Sequence, residues 1–178
     1  LRFKPDAPLP SGVDFTASFY ISKLLQMPQG LETFEFYFTV IEQSVGYYRD
    51  GFKPLNNADL RWYKAYGFMS TSDVSDNENF EKILSAKQNG KNLSIKWTHD
   101  AARKKHDFVI DSIERTENEQ KIIVTWDGKP FNIKGSGSDT VTIPGLKDFR
   151  FVEHYVEQNG EQYLRLLFSD PLLSSQNL

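Results

Sequence analysis

Apolar and polar residues alternate with a period of two along most of this chain. Over residues 14–22, Phe15, Ala17, Phe19 and Ile21 fall on one side and Thr16, Ser18, Tyr20 and Ser22 on the other. Such alternation among β-favouring residues predicts a half-buried strand. Residues 34–41 repeat the pattern, with Phe34, Phe36, Phe38 and Val40 aligned, after a break at Gln26-Met27-Pro28-Gln29-Gly30. A short strand is expected at Arg2-Phe3-Lys4. The run from Pro5 to Gly12 sets φ or permits positive φ, which predicts a loop.

Residues 44–148 read as one complete unit. A short strand over 45–48 is expected to end at Asp50-Gly51, followed by a turn at 54–57. A longer strand over 60–70 carries Trp62, Tyr63, Tyr66 and Phe68, with Gly67 marking a bulge. One helix is predicted, over 76–87. Ser75-Asp76-Asn77-Glu78 has the capping-box pattern, Phe80, Ile83 and Leu84 follow at helical spacing, and Asn89-Gly90 stops it. Strands resume at 92–98, 106–113 and 121–126. Asp127-Gly128 signals a tight hairpin, Gly135-Ser136-Gly137-Ser138 a flexible loop, and 140–143 a short strand closed by Pro144-Gly145. Residues 149–157 and 162–168 form a hairpin across Asn159-Gly160. Short strands separated by turn signals in this way predict an all-β fold, an immunoglobulin- or fibronectin-like β-sandwich with one short helix in its central unit.

Composition narrows the function classes. The 178 residues are 14% aromatic, which favours strands over helices. Lys and Arg number 21 against 24 Asp and Glu, a net charge of −3. That balance provides no basic footprint for nucleic acid or anionic lipid. The absence of cysteine removes disulfides, thiol catalysis and thiolate metal sites. No apolar run approaches the roughly 18–20 residues of a membrane span. The chain opens on Leu1-Arg2-Phe3 without a signal peptide, an opening compatible with processing or excision from a longer protein and silent about secretion.

Candidate chemistry is sparse. His99-Asp100 and His106-Asp107 repeat one dipeptide across an expected turn, so the two pairs come near each other; read as they stand, they are polar residues of an exposed hairpin. His154 lies apart from them. A metal site needs three or four ligands in defined geometry, and no spacing supplies them. Asp73, Asp76 and Glu78 lack the alternating oxygens and central Gly of a calcium loop. No nucleophile elbow, phosphate loop or dinucleotide fingerprint occurs. Tyr47, Tyr48, Trp62, Tyr63 and Tyr66 form an aromatic group that serves either as core and domain contact or as a platform for sugars. Asn159-Gly160-Glu161-Gln162 resembles the thioester motif Cys-Gly-Glu-Gln with Asn in place of the required Cys, and a hairpin turn accounts for it. The expectation is therefore a non-enzyme with no catalytic, cofactor-binding or metal-ligating residue, and no cofactor.

Two stretches carry a family resemblance. Leu166-Leu167-Phe168-Ser169-Asp170-Pro171-Leu172, with Ser174-Ser175-Gln176-Asn177-Leu178, resembles the start of a macroglobulin domain in bacterial α2-macroglobulin-like proteins. Residues 1–12, with Phe15-Thr16-Ala17, resemble the second half of such a domain. The stretches 84–91 and 95–100 resemble the unit between these domains near the N-terminus of that family. The resemblance implies three parts: 1–43 as the end of one macroglobulin-like sandwich, 44–148 as a complete sandwich, and 149–178 as the first strands of another. It further implies a structural fragment of a periplasmic or envelope-anchored protease trap. Its partners would be neighbouring macroglobulin domains of the same parent and, for the whole protein, proteases, with no nucleic acid and no small-molecule ligand. The Phe face of residues 1–43 needs a cover, and 149–178 is expected to provide it as a composite sandwich. The alternative reading is a carbohydrate-binding or Ig-like adhesion module.

Overall fold

The computed structural model describes residues 4–7, 9–56, 59–73, 75, 77–158 and 160–172. The chain first forms a separate two-stranded antiparallel sheet from β1 (Asp14–Tyr20) and β2 (Thr33–Thr39). It then builds a β-sandwich from hairpins laid alternately on two sheets. β3 (Val45–Asn56) and β4 (Asp59–Thr71) start the first sheet, and a crossover through α1 (Asn77–Phe80) and a 3-10 turn (Glu81–Ile83) leads to β5 (Leu84–Gln88) and β6 (Lys91–Asn92) of the second. β7 (Ile95–Asp100) and β8 (Lys105–Glu114) return to the first sheet, and β9 (Gln120–Asp127) and β10 (Ser136–Ile143) complete the second. The sheet orders are β3-β4-β8-β7 and β10-β9-β5-β6. β11 (Phe151–Glu157) and β12 (Tyr163–Phe168) close the chain as another two-stranded sheet. This is the all-β sandwich that the alternating pattern predicts.

The core follows from the alternation. Tyr63, Ala65 and Met69 of β4 and Phe108, Ile110 and Ile113 of β8 face Leu84 and Ala86 of β5, Ile122 and Val124 of β9, and Val141 and Ile143 of β10. Each large side chain removed from water contributes about 1.5–3 kcal/mol. Ile110 and Ile113 differ in parity, yet both point inward. A register shift between Tyr63 and Ala65 of β4 accommodates an extra residue in β8, with Ser112 at φ 60°. The bulge re-aims Ile113 into the core.

Several local expectations are overturned by pairing. The helix predicted over 76–87 shrinks to the four residues of α1, and Leu84 already begins β5. Leu84, Ala86 and Gln88 are buried at period two against β9, so pairing defeats the helical spacing. Asn89 and Gly90 have φ of 50° and 77° and turn β5 into β6 rather than ending a helix. Asp50-Gly51 does not end β3, which runs through it as a bulge between Arg49 and Gly51. Gly67, where a bulge was expected, keeps regular register with β8, and the bulge beside it belongs to β3, whose extra residue lies between the partners of Gly67 and Tyr66. Asp127-Gly128 is no tight hairpin: Gly128 has φ −83° and a 3-10 turn (Lys129–Phe131) follows. Nor is Gly135-Ser136-Gly137-Ser138 a loop, because β10 starts at Ser136 and the Trp126 indole lies where a Cβ on Gly137 would project.

The composite sandwich expected from 1–43 and 149–178 is not formed. β1–β2 and β11–β12 are separate sheets with no ladder between them. β11 lies against the central unit instead, with the Tyr155 hydroxyl donating to the Asp50 carbonyl and Val152 packed on the core. The expected strand at Arg2-Phe3-Lys4, Asp76 of the capping box, Asn159 of the last turn and residues 173–178 of the resemblance lie wholly or partly outside the described residues.

Gly67 sits where three strands meet. A Cβ there would lie 2.2 Å from the Tyr48 carbonyl oxygen and 2.7 Å from Phe108 Cζ. Gly67→Ala is expected to lower unfolding free energy by about 2 kcal/mol or more in urea titration, the range for overpacking a filled core.

Candidate functional site

Among the described residues, no cluster has the form of a catalytic centre. The chemistry concentrates instead in two buried polar groups and one clip, all on the central sandwich. Two of them sit at the ends of one strand: His106 is near the start of β8, and Arg115 is one residue past its end.

Arg115 is fully buried, with its side chain 0% exposed. A guanidinium carries five N–H donors and no acceptor, and here every donor is used. Nε donates to the Pro144 carbonyl at 2.9 Å, and Nη2 to the Gly145 carbonyl at 2.7 Å and Asp170 Oδ2 at 3.3 Å. Nη1 donates to Asp170 Oδ1 at 2.7 Å and to the Tyr63 hydroxyl at 3.0 Å. Tyr63 passes its own proton to the Ser169 carbonyl. The Ser169 hydroxyl accepts from the Arg150 N–H at 2.9 Å and donates to Asp170 Oδ2 at 2.7 Å. Burial alone would raise the Asp170 carboxyl, but the hydrogen bonds from Arg115 and Ser169 outweigh it and hold the group below its ordinary value. Burial pushes the Tyr63 phenol up to about 12, so it remains a donor. Ser169-Asp170-Pro171, singled out in the sequence as an opening signature, thus fastens the β11–β12 hairpin to the sandwich.

The second group is made by register. β7 and β8 pair so that His99 stands opposite His106. Their Nδ1 atoms are 2.7 Å apart. His99 Nε2 is 3.0 Å from Glu81 Oε1, and His106 Nε2 is 3.2 Å from Ser75 Oγ and 3.4 Å from Thr71 Oγ1. Phe80 stacks on the His106 ring with centroids 3.9 Å apart, and Trp97 stacks on His99 at 5.9 Å. The two His–Asp dipeptides do come together, but their imidazoles are not on an exposed face. His106 is 2% exposed, because its strand position points inward under Phe80. Burial first, and then the adjacent His99, hold His106 below its ordinary imidazole value. A metal ion between the rings would need each nitrogen about 2.0–2.1 Å away in tetrahedral geometry, which a 2.7 Å separation does not admit. Among the described residues, no group of three or more His, Asp or Glu is arranged to hold a metal.

The clip joins the first hairpin to the crossover. Gln43 Nε2 donates to the Asp73 carbonyl at 3.0 Å, and the Asp73 N–H returns a bond to Gln43 Oε1 at 2.9 Å. Ser44 and Ser72 pair beside it, and the Gln43 N–H donates to Ser11 Oγ at 2.5 Å. Neither Arg115 nor Gln43 stands in any sequence motif. The signal was a Gln followed by Ser at a strand entry, which has no specificity of its own.

The remaining sequence candidates disperse. His154 is exposed on β11, stacked on Phe151. Asp73 serves the clip and lies 3.8 Å from Lys104, and Glu78 belongs to α1. The aromatic group divides between the two faces of the first sheet, as strand alternation requires. Tyr63 is core and Tyr47 stacks on Trp126 and Phe108. Tyr48 stacks outside on Phe68, whose ring also carries the Lys105 ammonium, while Lys53 covers Tyr66. Each of these contacts covers one ring face, while Tyr48 is 50% and Trp62 38% exposed. No family model, curated protein or solved structure matches the chain.

Removing the one carboxylate that neutralises Arg115 leaves a buried cation uncompensated. Asp170→Asn is expected to cost about 3–5 kcal/mol of unfolding free energy in urea titration. Because the folded carboxyl is depressed, its contribution is present above the ordinary carboxylate range, near pH 3.8, and is lost as pH falls through the folded value. The difference between the parent chain and Asp170→Asn should therefore shrink below pH 4 and stay constant from pH 5 to 8.

Proposed function

We propose that this chain is a non-catalytic structural module of a bacterial α2-macroglobulin-like protein, whose parent acts in the periplasm or on the cell envelope as a broad-spectrum protease trap. The observation that carries the reading is the pair of half-covered hairpins flanking a complete sandwich. On β1–β2, Phe34 and Phe36 remain 55% and 43% exposed, and on β11–β12, Val156 and Leu164 remain 63% and 57% exposed. A two-stranded hairpin is marginal by itself in water. Each such face fits the inner face of a sandwich whose other strands belong to a neighbouring macroglobulin domain. The resemblance of residues 166–172 and 1–12 to domain halves agrees with that arrangement.

The mechanism is mechanical. The central sandwich is a rigid block. The Arg115–Asp170 pair makes β11–β12 move with it, and the Gln43–Asp73 clip does the same for β1–β2. A rearrangement of one neighbouring domain is then transmitted to the next through the block. Cleavage elsewhere in the parent would trigger the rearrangement, with proteases as targets and neighbouring domains as the direct contacts of this segment.

The test uses the full-length parent. After exposure to a protease, a trap is expected to compact in small-angle scattering and to suppress cleavage of a protein substrate while sparing cleavage of a short peptide substrate. Equal cleavage of both substrates, with no change in radius of gyration, sinks the proposal.

A further inference from the structure

We propose that the facing His99–His106 pair is a proton-sensitive latch: with no or one added proton it holds the crossover between the two sheets closed, and with two it releases the crossover and the β1–β2 hairpin clipped to it. The inference does not depend on the protease-trap reading.

The hydrogen-bond inventory carries it. A neutral imidazole has one donor and one acceptor nitrogen, and an imidazolium has two donors. At 2.7 Å, the facing Nδ1 atoms share one proton. In the neutral arrangement Ser75 or Thr71 donates to His106 Nε2, His106 Nδ1–H donates to His99 Nδ1, and His99 Nε2–H donates to Glu81. Adding one proton reverses the chain without breaking it. His99 becomes a double donor, to Glu81 and to His106 Nδ1, and His106 Nε2–H then donates to a hydroxyl, which accepts as readily as it gives. A second proton has no place. It sets two N–H groups nose to nose and puts two like charges side by side where His106 is buried and His99 is 14% exposed.

The surroundings do not relieve that conflict. Glu81, from the 3-10 turn, is the carboxylate in contact with the pair. Asp107 of β8 is held by Lys105 at 2.7 Å, Asp100 of β7 lies 3.6 Å from Arg103, and Asp73 of the crossover lies 3.8 Å from Lys104. Glu78 of α1 and Lys82 of the 3-10 turn, whose ammonium donates to Asn79 Oδ1 at 3.1 Å, are further charged groups on the described part of the crossover. Burial and then His99 act against charge on His106, and the neighbouring Asp107 offsets them only in part. Its folded value is depressed, so neutral His106 stabilises the fold above its unfolded value of 6.5, and that stability is lost as pH falls from there toward the folded value.

Location turns this into a device. Ser75, Phe80 and Glu81, which touch the imidazoles, all belong to the crossover rather than to the hairpin. The same crossover carries Ser72 and Asp73, which hold Glu42 and Gln43 at the foot of β2. It also lines a cleft of about 620 Å³ with Leu9, Val40, Ile41 and Ile133 on the opposite side. Release of the imidazoles leaves the crossover free to move into that cleft, and the first hairpin loses its anchor.

The test is nuclear magnetic resonance on the full chain labelled with 15N at histidine and amide positions. At pH 7.5, a scalar coupling between His99 Nδ1 and His106 Nδ1 across the shared proton is expected. Amide-exchange protection at Phe80, Ile83 and Leu84 should fall about tenfold or more between pH 7.5 and pH 5.0. Protection at Ile122 and Val124 in β9 should change less. In His99→Gln, which cannot take the second charge, the pH-dependent loss should vanish. Absence of the coupling, equal protection at both pH values, or an undiminished loss in His99→Gln each overturns the latch. Should His99→Gln fail to fold, the coupling and protection of the unsubstituted chain still decide the matter.

Discussion

A guanidinium taken wholly out of water is the constraint on which the rest of this structure turns. Arg115 is 0% exposed, and its five donors demand five acceptors at the right distances. They come from three separate places: Tyr63 on β4, the Pro144-Gly145 carbonyls after β10, and Asp170 after β12. No one of these completes the shell. The arginine can be buried only when the end of the sandwich and the last hairpin are both in place. A buried ion pair adds little net stability against a hydrophobic replacement, but removing one partner is costly. What the pair provides is a defined seat, which fixes β11–β12 against β3 through Tyr155 and Asp50.

β8 is the spine that makes this possible. It pairs with β4 on one side and β7 on the other. Its inward residues fill the core, and its two ends carry the two buried polar groups. The bulge at Ser112 lets one strand serve both tasks, turning Ile113 inward just before Arg115 leaves the sheet. At the other end, pairing with β7 forces His106 against His99. Polar groups at both ends of a strand otherwise given to core packing are costly unless each atom is satisfied. Among the described residues no buried side-chain nitrogen or oxygen lacks a partner.

The two end hairpins are tied to the block by different means. β11–β12 is held by a buried cation and its half-buried carboxylate, and β1–β2 by neutral side-chain and backbone bonds through Gln43, Ser72 and Asp73. The first kind of attachment is stiff, and a neutral bond exposed to water contributes about 0.5–1.5 kcal/mol. The softer attachment is the one that abuts the imidazole pair. A module of this kind has one fixed side and one side open to adjustment.

The alternation of Phe15, Ala17 and Phe19 with polar residues determined β1 without help from the rest of the chain, and the same holds for β2 and for the interior faces of β8 and β9. Period two is a local property of a strand, whereas burial of the apolar face is not: Phe34 and Phe36 of β2 stay exposed. The sandwich class was legible for the same reason. The helix over 76–87 was not, because Leu84 and Ala86 gain more from pairing with β9 than from helical spacing, and that gain depends on a strand some 40 residues away. Asp127-Gly128 and Gly135–Ser138 misled for a related reason: the Ile133 carbonyl lies where a Cβ on Gly128 would project and the Trp126 indole where one on Gly137 would, and no turn rule knows of either. His99 and His106 could be placed near each other by counting across a turn, but not buried. Whether a hairpin residue faces core or water is set by the sheet that packs on it. Arg115 gave no signal at all, since a lone arginine reads as surface until three distant segments converge on it. Local patterns determine which way side chains alternate; only the assembled tertiary structure decides which polar groups lose their water.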